Sequence, residues 1–262
     1  MFDDFKFFDV KNHLMPDTEA FCQCAQDEEM ALCMAFQAQE QGCRFILATP
    51  PDEAFLRELE NPGAEGIPAA VSDRFDSLHR KLRRRLPNME LGLGCEINCS
   101  RDKLDSILHH LEKGHLPGLN GTRCILVSFQ EDVSREDLWF CLDRLDRVGW
   151  RPILSHAQRI RTLEHDIHEI KCLKGEEYRG DYYRFRCLIQ LDTLSLHFSE
   201  RDCAWSRKMI ECGVVDMLAT DARNTYTHPP YILNVLEALP CSCEYLEDIA
   251  WNNAKNLLLG SK

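Results

Sequence analysis

The chain has 262 residues, a formal net charge of −12 and 44% hydrophobic residues. That suffices for one large α/β domain with a sizeable core, and the negative charge argues against broad nucleic-acid binding, because a polyanion is repelled. Residues Met1-Phe2-Asp3-Asp4-Phe5-Lys6 lack a basic region followed by a long apolar stretch, and no apolar run reaches the length of a membrane span, so a cytoplasmic protein without membrane insertion is expected.

In chain order, Phe7–Val10 reads as the first strand. Asp27 to Gly42 reads as a helix, with Met30, Leu32, Cys33, Met34 and Phe36 on its apolar side and Gly42 as its stop. Phe45–Thr49 is the second strand, Asp73 to Leu86 a helix with a basic face, and Leu91–Ile97 a strand. Arg101–Lys113 reads as a helix, Cys124–Phe129 as a strand, Glu136–Val148 as a helix closed by Gly149, and Arg151–Ser155 as a strand. Leu188–Leu191, a helix over Arg201–Cys212 and a last strand over Val214–Thr220 follow. Helical segments over Pro230–Leu239 and Tyr245–Leu259 close the chain. Repeated strand-helix order implies a parallel sheet with right-handed crossovers. About seven such units without a Gly-, Ser- or Pro-rich linker predict a single domain over residues 1–262, an α/β barrel whose chemistry sits at the C-terminal ends of its strands.

The chain holds 14 cysteines. Without export they are expected to be free, small and buried. The pairs Cys22/Cys24 and Cys241/Cys243 lack zinc-site spacing. The interval from Cys95 to Arg101 matches a cysteine-phosphatase loop, but Glu96 and Ile97 spoil the cradle of backbone amides. The run His79–Arg85 and the histidines His109, His110, His165 and His168 read as solvated helix faces.

The strand ends carry the polar residues. The first strand ends in Asp9, Lys11 and His13, and the second in Thr49-Pro50-Pro51-Asp52. Further strands end in Gly94-Cys95-Glu96, in Ser155-His156-Ala157-Gln158-Arg159 and in Asp221, Arg223 and Asn224. Strand side chains alternate with period two, so positions 11 and 13 share a face, as do 221 and 223. Histidines at 11 and 223 beside His13 and Asp221 would form a strong metal signature. Lys11 and Arg223 stand there instead, and neither ligates a metal while protonated.

This order resembles the PHP superfamily, most closely the bacterial PHP-type protein-tyrosine phosphatases of capsule and exopolysaccharide gene clusters. That family opens D-I-H-x-H-I-L-P-G; this chain has Asp9-Val10-Lys11-Asn12-His13-Leu14-Met15-Pro16-Asp17. For A-T-P-H-H it has Ala48-Thr49-Pro50-Pro51-Asp52, and for G-x-E-I it has Gly94-Cys95-Glu96-Ile97. For A-H-P-E-R it has Ser155-His156-Ala157-Gln158-Arg159, and for S-D-A-H-N it has Thr220-Asp221-Ala222-Arg223-Asn224.

The resemblance implies a distorted (β/α)7 barrel and two or three divalent metals, manganese, iron or zinc, that activate water for phosphoester hydrolysis. It implies metal-ligand positions at His13, Glu96, His156 and Asp221, and a phosphate contact at Arg159. His156 and Asp221 would also carry catalytic roles. The family's ligands are substituted at Lys11, Pro51 and Arg223, and its acidic loop is altered at Thr18-Glu19-Ala20. The expectation is a partly eroded centre with reduced metal occupancy or none, and weak or lost phosphatase activity. The implied partner is a phosphotyrosine protein such as a bacterial tyrosine kinase. Clustered carboxylates without a metal are costly, so Lys11 and Arg223 are expected to neutralise them through salt bridges. The alternative is a non-catalytic module that binds a phosphate, anion or protein partner with Lys11, Arg159 and Arg223.

Overall fold

Eight short strands, all paired in parallel, carry the fold in a computed structural model that describes residues 5–16, 24–61, 63–176, 186–196, 200–236, 239 and 241–260. Strand β1 (Phe7–Asn12) leads to α1 (Glu28–Glu40), β2 (Cys43–Ala48), α2 (Asp52–Leu56), α3 (Ala69–Arg85), β3 (Glu90–Leu93) and β4 (Glu96–Asn98). Then come α4 (Leu104–Glu112), β5 (Cys124–Ser128), α5 (Arg135–Arg147), β6 (Arg151–Leu154), α6 (Ile167–Leu173), β7 (Leu188–Asp192), α7 (Glu200–Glu211) and β8 (Met217–Ala219). Short helical segments at Leu233–Leu236, Cys243–Glu247 and Asn253–Leu258 follow. Helix starts obey local capping chemistry. The Asp27 carboxylate accepts from the Met30 amide at 2.7 Å, and Ser134 Oγ accepts from the Asp137 amide at 3.1 Å.

The strands form two sheets, ordered β1-β2-β3 and β4-β5-β6-β7-β8. Both strand faces are buried, as parallel sheets require. One face, with Phe7, Ile46, Val127, Leu191 and Leu218, packs on the helices. The other, with Phe8, Val10, Phe45, Leu47, Leu126, Ile153 and Met217, packs on itself and on the C-terminal segment. There Phe8 and Phe45 stack with ring centroids 4.3 Å apart.

Two isolated parallel bridges link the sheets, Asn12 to Ala222 and Pro51 to Glu96. Among the described residues no continuous ladder closes the ring, so the fold shown is mixed α/β with a pair of bridged parallel sheets. The physical reason at one seam is plain: Pro50 and Pro51 have no amide hydrogen to extend the β2 ladder. The strand expected over 91–97 is also broken. The ladder lapses at Gly94 and Cys95 and resumes as β4 beside Pro51, and at Gly94 a Cβ would lie 2.5 Å from Leu119 Cδ2. The last strand is shorter than expected, and α2 was not read from the sequence.

A candidate site at the strand ends

Lys11 lies near the end of β1, and His13 follows it. Glu96 opens β4 and is carried to the end of β2 by its bridge to Pro51. His156 and Arg159 follow β6, Asp192 ends β7, and Asp221 and Arg223 follow β8. Residues far apart in the chain thus meet. Lys11 Nζ is 2.9 Å from Glu96 Oε1 and 3.0 Å from Asp221 Oδ1, and it also donates to His156 Nε2. An ammonium has three hydrogens to donate, and here three acceptors surround it. Lys11 is 0% exposed.

This contact fixes the imidazole. If His156 Nε2 accepts from an ammonium, its proton is on Nδ1, which then donates to Asp192. Asp192 also accepts from Gln158 Nε2 at 2.8 Å and from Gln190 Nε2 at 3.0 Å. Metal-bound histidines are oriented by carboxylates in this same order, carboxylate, imidazole, cation. In this protein the cation is an ammonium.

Around that centre, His13 Nε2 lies 3.0 Å from Asp221 Oδ1, and Arg223 Nη2 donates to Asp221 Oδ2 at 3.1 Å. Arg159 Nη2 is 3.6 Å from Asp192 Oδ2. The salt bridges anticipated for Lys11 and Arg223 therefore form. Three carboxylates face three basic side chains, so the cluster is close to neutral before any ligand enters.

Electrostatics follow from this pairing. Burial pushes the Glu96 and Asp221 carboxyls up, but the Lys11 ammonium above all outweighs it. Glu96 is held below the usual carboxylate range and Asp221 well below it. Asp192 is lowered in the same way, against burial, by His156 above all. For Lys11 burial acts to depress the pKa, and Asp221, Glu96 and Asp192 overcome it, so the ammonium is favoured. His156 and Asp221 adopt φ of 54° and 51°. Left-handed backbone in non-glycine residues costs on the order of 1 kcal/mol or more, and clusters at functional sites.

The donor set can be tested for a divalent metal. Ligand atoms of His156, Asp192 and Asp221 lie within 4.8 Å of one another, a candidate metal group. Lys11, however, occupies two of its three members. A metal held by His156 and Asp221 would stand beside the ammonium that contacts both. With Lys11 charged and in place, these residues do not fit the metal.

Other sequence expectations fall elsewhere. Pro51 stands at the seam beside Glu96 and offers no ligand atom. Asp9 is buried and braces the last strand, accepting from the Thr220 amide at 2.9 Å and from Thr220 Oγ1 at 2.5 Å. The His165 ring packs edge-on against Trp205 and takes no part in the cluster. The described cysteines are free thiols, most of them buried. Thr18-Glu19-Ala20 lies outside the described residues. Asp192 went unread in the sequence, although Gln190 and Asp192 share a strand face by period two and form a polar end to an apolar strand.

An all-parallel α/β fold that gathers imidazoles, carboxylates and cations at its strand ends defines the class: an α/β protein with a strand-end polar centre, the place where such folds carry their chemistry. The sequence matches the family described as capsular polysaccharide synthesis, CpsB/CapC, over residues 7–259. The chain belongs to the CpsB/CapC family. It is 28% identical over 241 residues to the tyrosine-protein phosphatase YwqE of Bacillus subtilis strain 168, spanning 87% of this chain and 83% of that protein. It is 21% identical to the tyrosine-protein phosphatase CpsB of Streptococcus pneumoniae, spanning 86% of each. A solved structure from work on YwqE and CpsB, described as unique metal-dependent tyrosine phosphatases, superposes with a TM-score of 0.76 at 25% identity. That match spans 97% of this chain and 95% of the other.

Proposed function

We propose that this chain is a CpsB/CapC protein in which the Lys11 ammonium has replaced a divalent cation, leaving a phosphotyrosine-binding module whose hydrolytic turnover is weak or lost. One observation carries the reading: Lys11 Nζ is held by Glu96, Asp221 and His156. A metal-dependent hydrolase needs a bound ion to acidify water and stabilise the leaving phenolate. Here the groups that would hold the ion hold a lysine.

The anion would be met by Arg159 and Arg223 at the rim, with Lys11 supplying charge at the pocket base. Lys11 is already turned to Glu96, Asp221 and His156. Arg223 Nε, by contrast, is buried without a hydrogen-bond partner. A guanidinium N–H left unmatched in an otherwise neutral cluster suits a phosphate oxygen. The ligand class is a phosphotyrosine protein, such as a bacterial tyrosine kinase, in the cytoplasm. We also propose that residues 1–262 form one domain, and that the two bridged sheets are a distorted (β/α)7 barrel of the PHP kind. A second reading, residual metal-assisted hydrolysis, is favoured by the grouping of His156, Asp192 and Asp221, with His13 and Glu96 as further candidate ligands. It requires Lys11 to move away.

The two readings separate in one assay pair. Hydrolysis of p-nitrophenyl phosphate with manganese added, and calorimetric binding of a phosphotyrosine peptide, are measured on the same preparation. The proposal expects saturable peptide binding, weakened by Arg159→Ala and Arg223→Ala, with little or no phosphate release. Manganese-dependent turnover abolished by Asp221→Ala would overturn it.

A further inference from the structure

A second pocket lies away from this cluster. It is a cavity of about 510 Å³ between α4 and α5, within the range of small-molecule sites. Its residues Arg123 and Trp150 immediately precede β5 and β6, so it opens at the N-terminal ends of strands whose other ends carry the cluster. Nothing in the proposed function uses it.

Its chemistry is divided. The Arg123 guanidinium lies over the Trp150 ring, 5.3 Å from the centroid, and Arg144 on α5 joins it in the lining. Asp105 and Glu112 line the cavity from α4, and Leu108 adds an apolar surface. The two arginines and the two acids form no ion pair with any described residue. Opposite charges share one cavity yet do not reach each other across it. The ring is firmly seated as well: at Gly118 a Cβ would lie 2.9 Å from Trp150 Cζ3 and 1.9 Å from the Thr122 carbonyl oxygen. Only glycine permits that approach.

We infer that this cavity is a ligand site for an aromatic zwitterion. The ring packs against Trp150 and Leu108, an anionic group meets Arg123 or Arg144, and a cationic group reaches Asp105 or Glu112. Arginine recognises carboxylate or phosphate bidentately and stacks on aromatic faces at once. Isolated exposed ion pairs bring little; a ligand that bridges both charged walls and covers the indole combines the gains.

The test uses 4-(aminomethyl)benzoate as probe, with benzoate and benzylamine as its two halves, in titrations followed by tryptophan fluorescence and calorimetry. The inference expects saturable binding of the zwitterion at least about tenfold tighter than of either half. It expects the same loss in Arg123→Ala/Arg144→Ala, and unchanged binding in Arg159→Ala/Arg223→Ala, which separates this site from the strand-end cluster. Arg123 and Arg144 are exposed residues, and an unchanged circular dichroism spectrum confirms that each variant is folded. Equal affinity for benzoate alone, affinity unaffected by losing both arginines, or no saturation in the millimolar range would each overturn it.

Discussion

Lys11 is a buried charge whose removal leaves two carboxylates facing each other. Breaking a buried ion pair from one side costs about 3–5 kcal/mol, because the partner charge stays uncompensated. Lys11→Met, similar in length, is therefore expected to lose about that much stability at pH 7 in urea unfolding. The pH dependence has a definite sign. Glu96 and Asp221 are held below their usual range in the native protein, so their contribution is present above the unfolded carboxylate pKa and is lost as pH falls through the folded values. The gap between wild type and Lys11→Met should narrow on acidification, and equal unfolding midpoints at pH 7 would count against the pairing. Asp9 has the opposite sign. Burial, only partly offset by Asn12 and Thr220, raises it from 3.8 to about 6. Stability from Asp9 is full below pH 4 and declines as pH rises through about 6. Asp9→Asn removes that decline, and its stability relative to wild type should rise by on the order of 3 kcal/mol from pH 4 to pH 7, at 1.36 kcal/mol per unit. A flat difference across this range refutes the assignment.

At the scale of elements, the break between β3 and β4 places Glu96. Gly94 has room for no side chain: a Cβ would meet Leu119 Cδ2 at 2.5 Å and Leu119 Cα at 3.3 Å. Gly94→Ala is expected to cost about 1–3 kcal/mol from overpacking, read as a lowered midpoint in thermal unfolding, and an unshifted midpoint would show that Leu119 yields freely. This break also marks what the sequence conceals. The apolar run through Leu91–Ile97 reads as one strand because periodicity reports apolar content and not the change of neighbour from β2 to β5. The order of strands and helices and the strand-end positions of His13, Glu96, His156 and Asp221 were legible, since apolar runs and period-two alternation write them. Asp192 was overlooked because the strand was ended one residue early. That Lys11 touches His156 lay beyond any local signal, since 145 residues separate them.

For the whole molecule, a chain of net charge −12 collects at its strand ends a cluster in which basic and acidic groups balance. Two parallel sheets meet at two single bridges, and Lys11, Glu96 and Asp221 lie at or beside those seams. The lysine therefore ties the sheets together electrostatically where the backbone ladder is thin. No described helix is long and apolar enough to cross a membrane. The comparison with metal-dependent relatives turns on the cation at the centre. The most direct measurement is the metal content of the native protein and of Lys11→His/Arg223→His after manganese loading and dialysis. The account predicts substoichiometric metal in the native chain and a clear gain in the double variant. Stoichiometric manganese held by the native chain, with Lys11 unaltered, would contradict it.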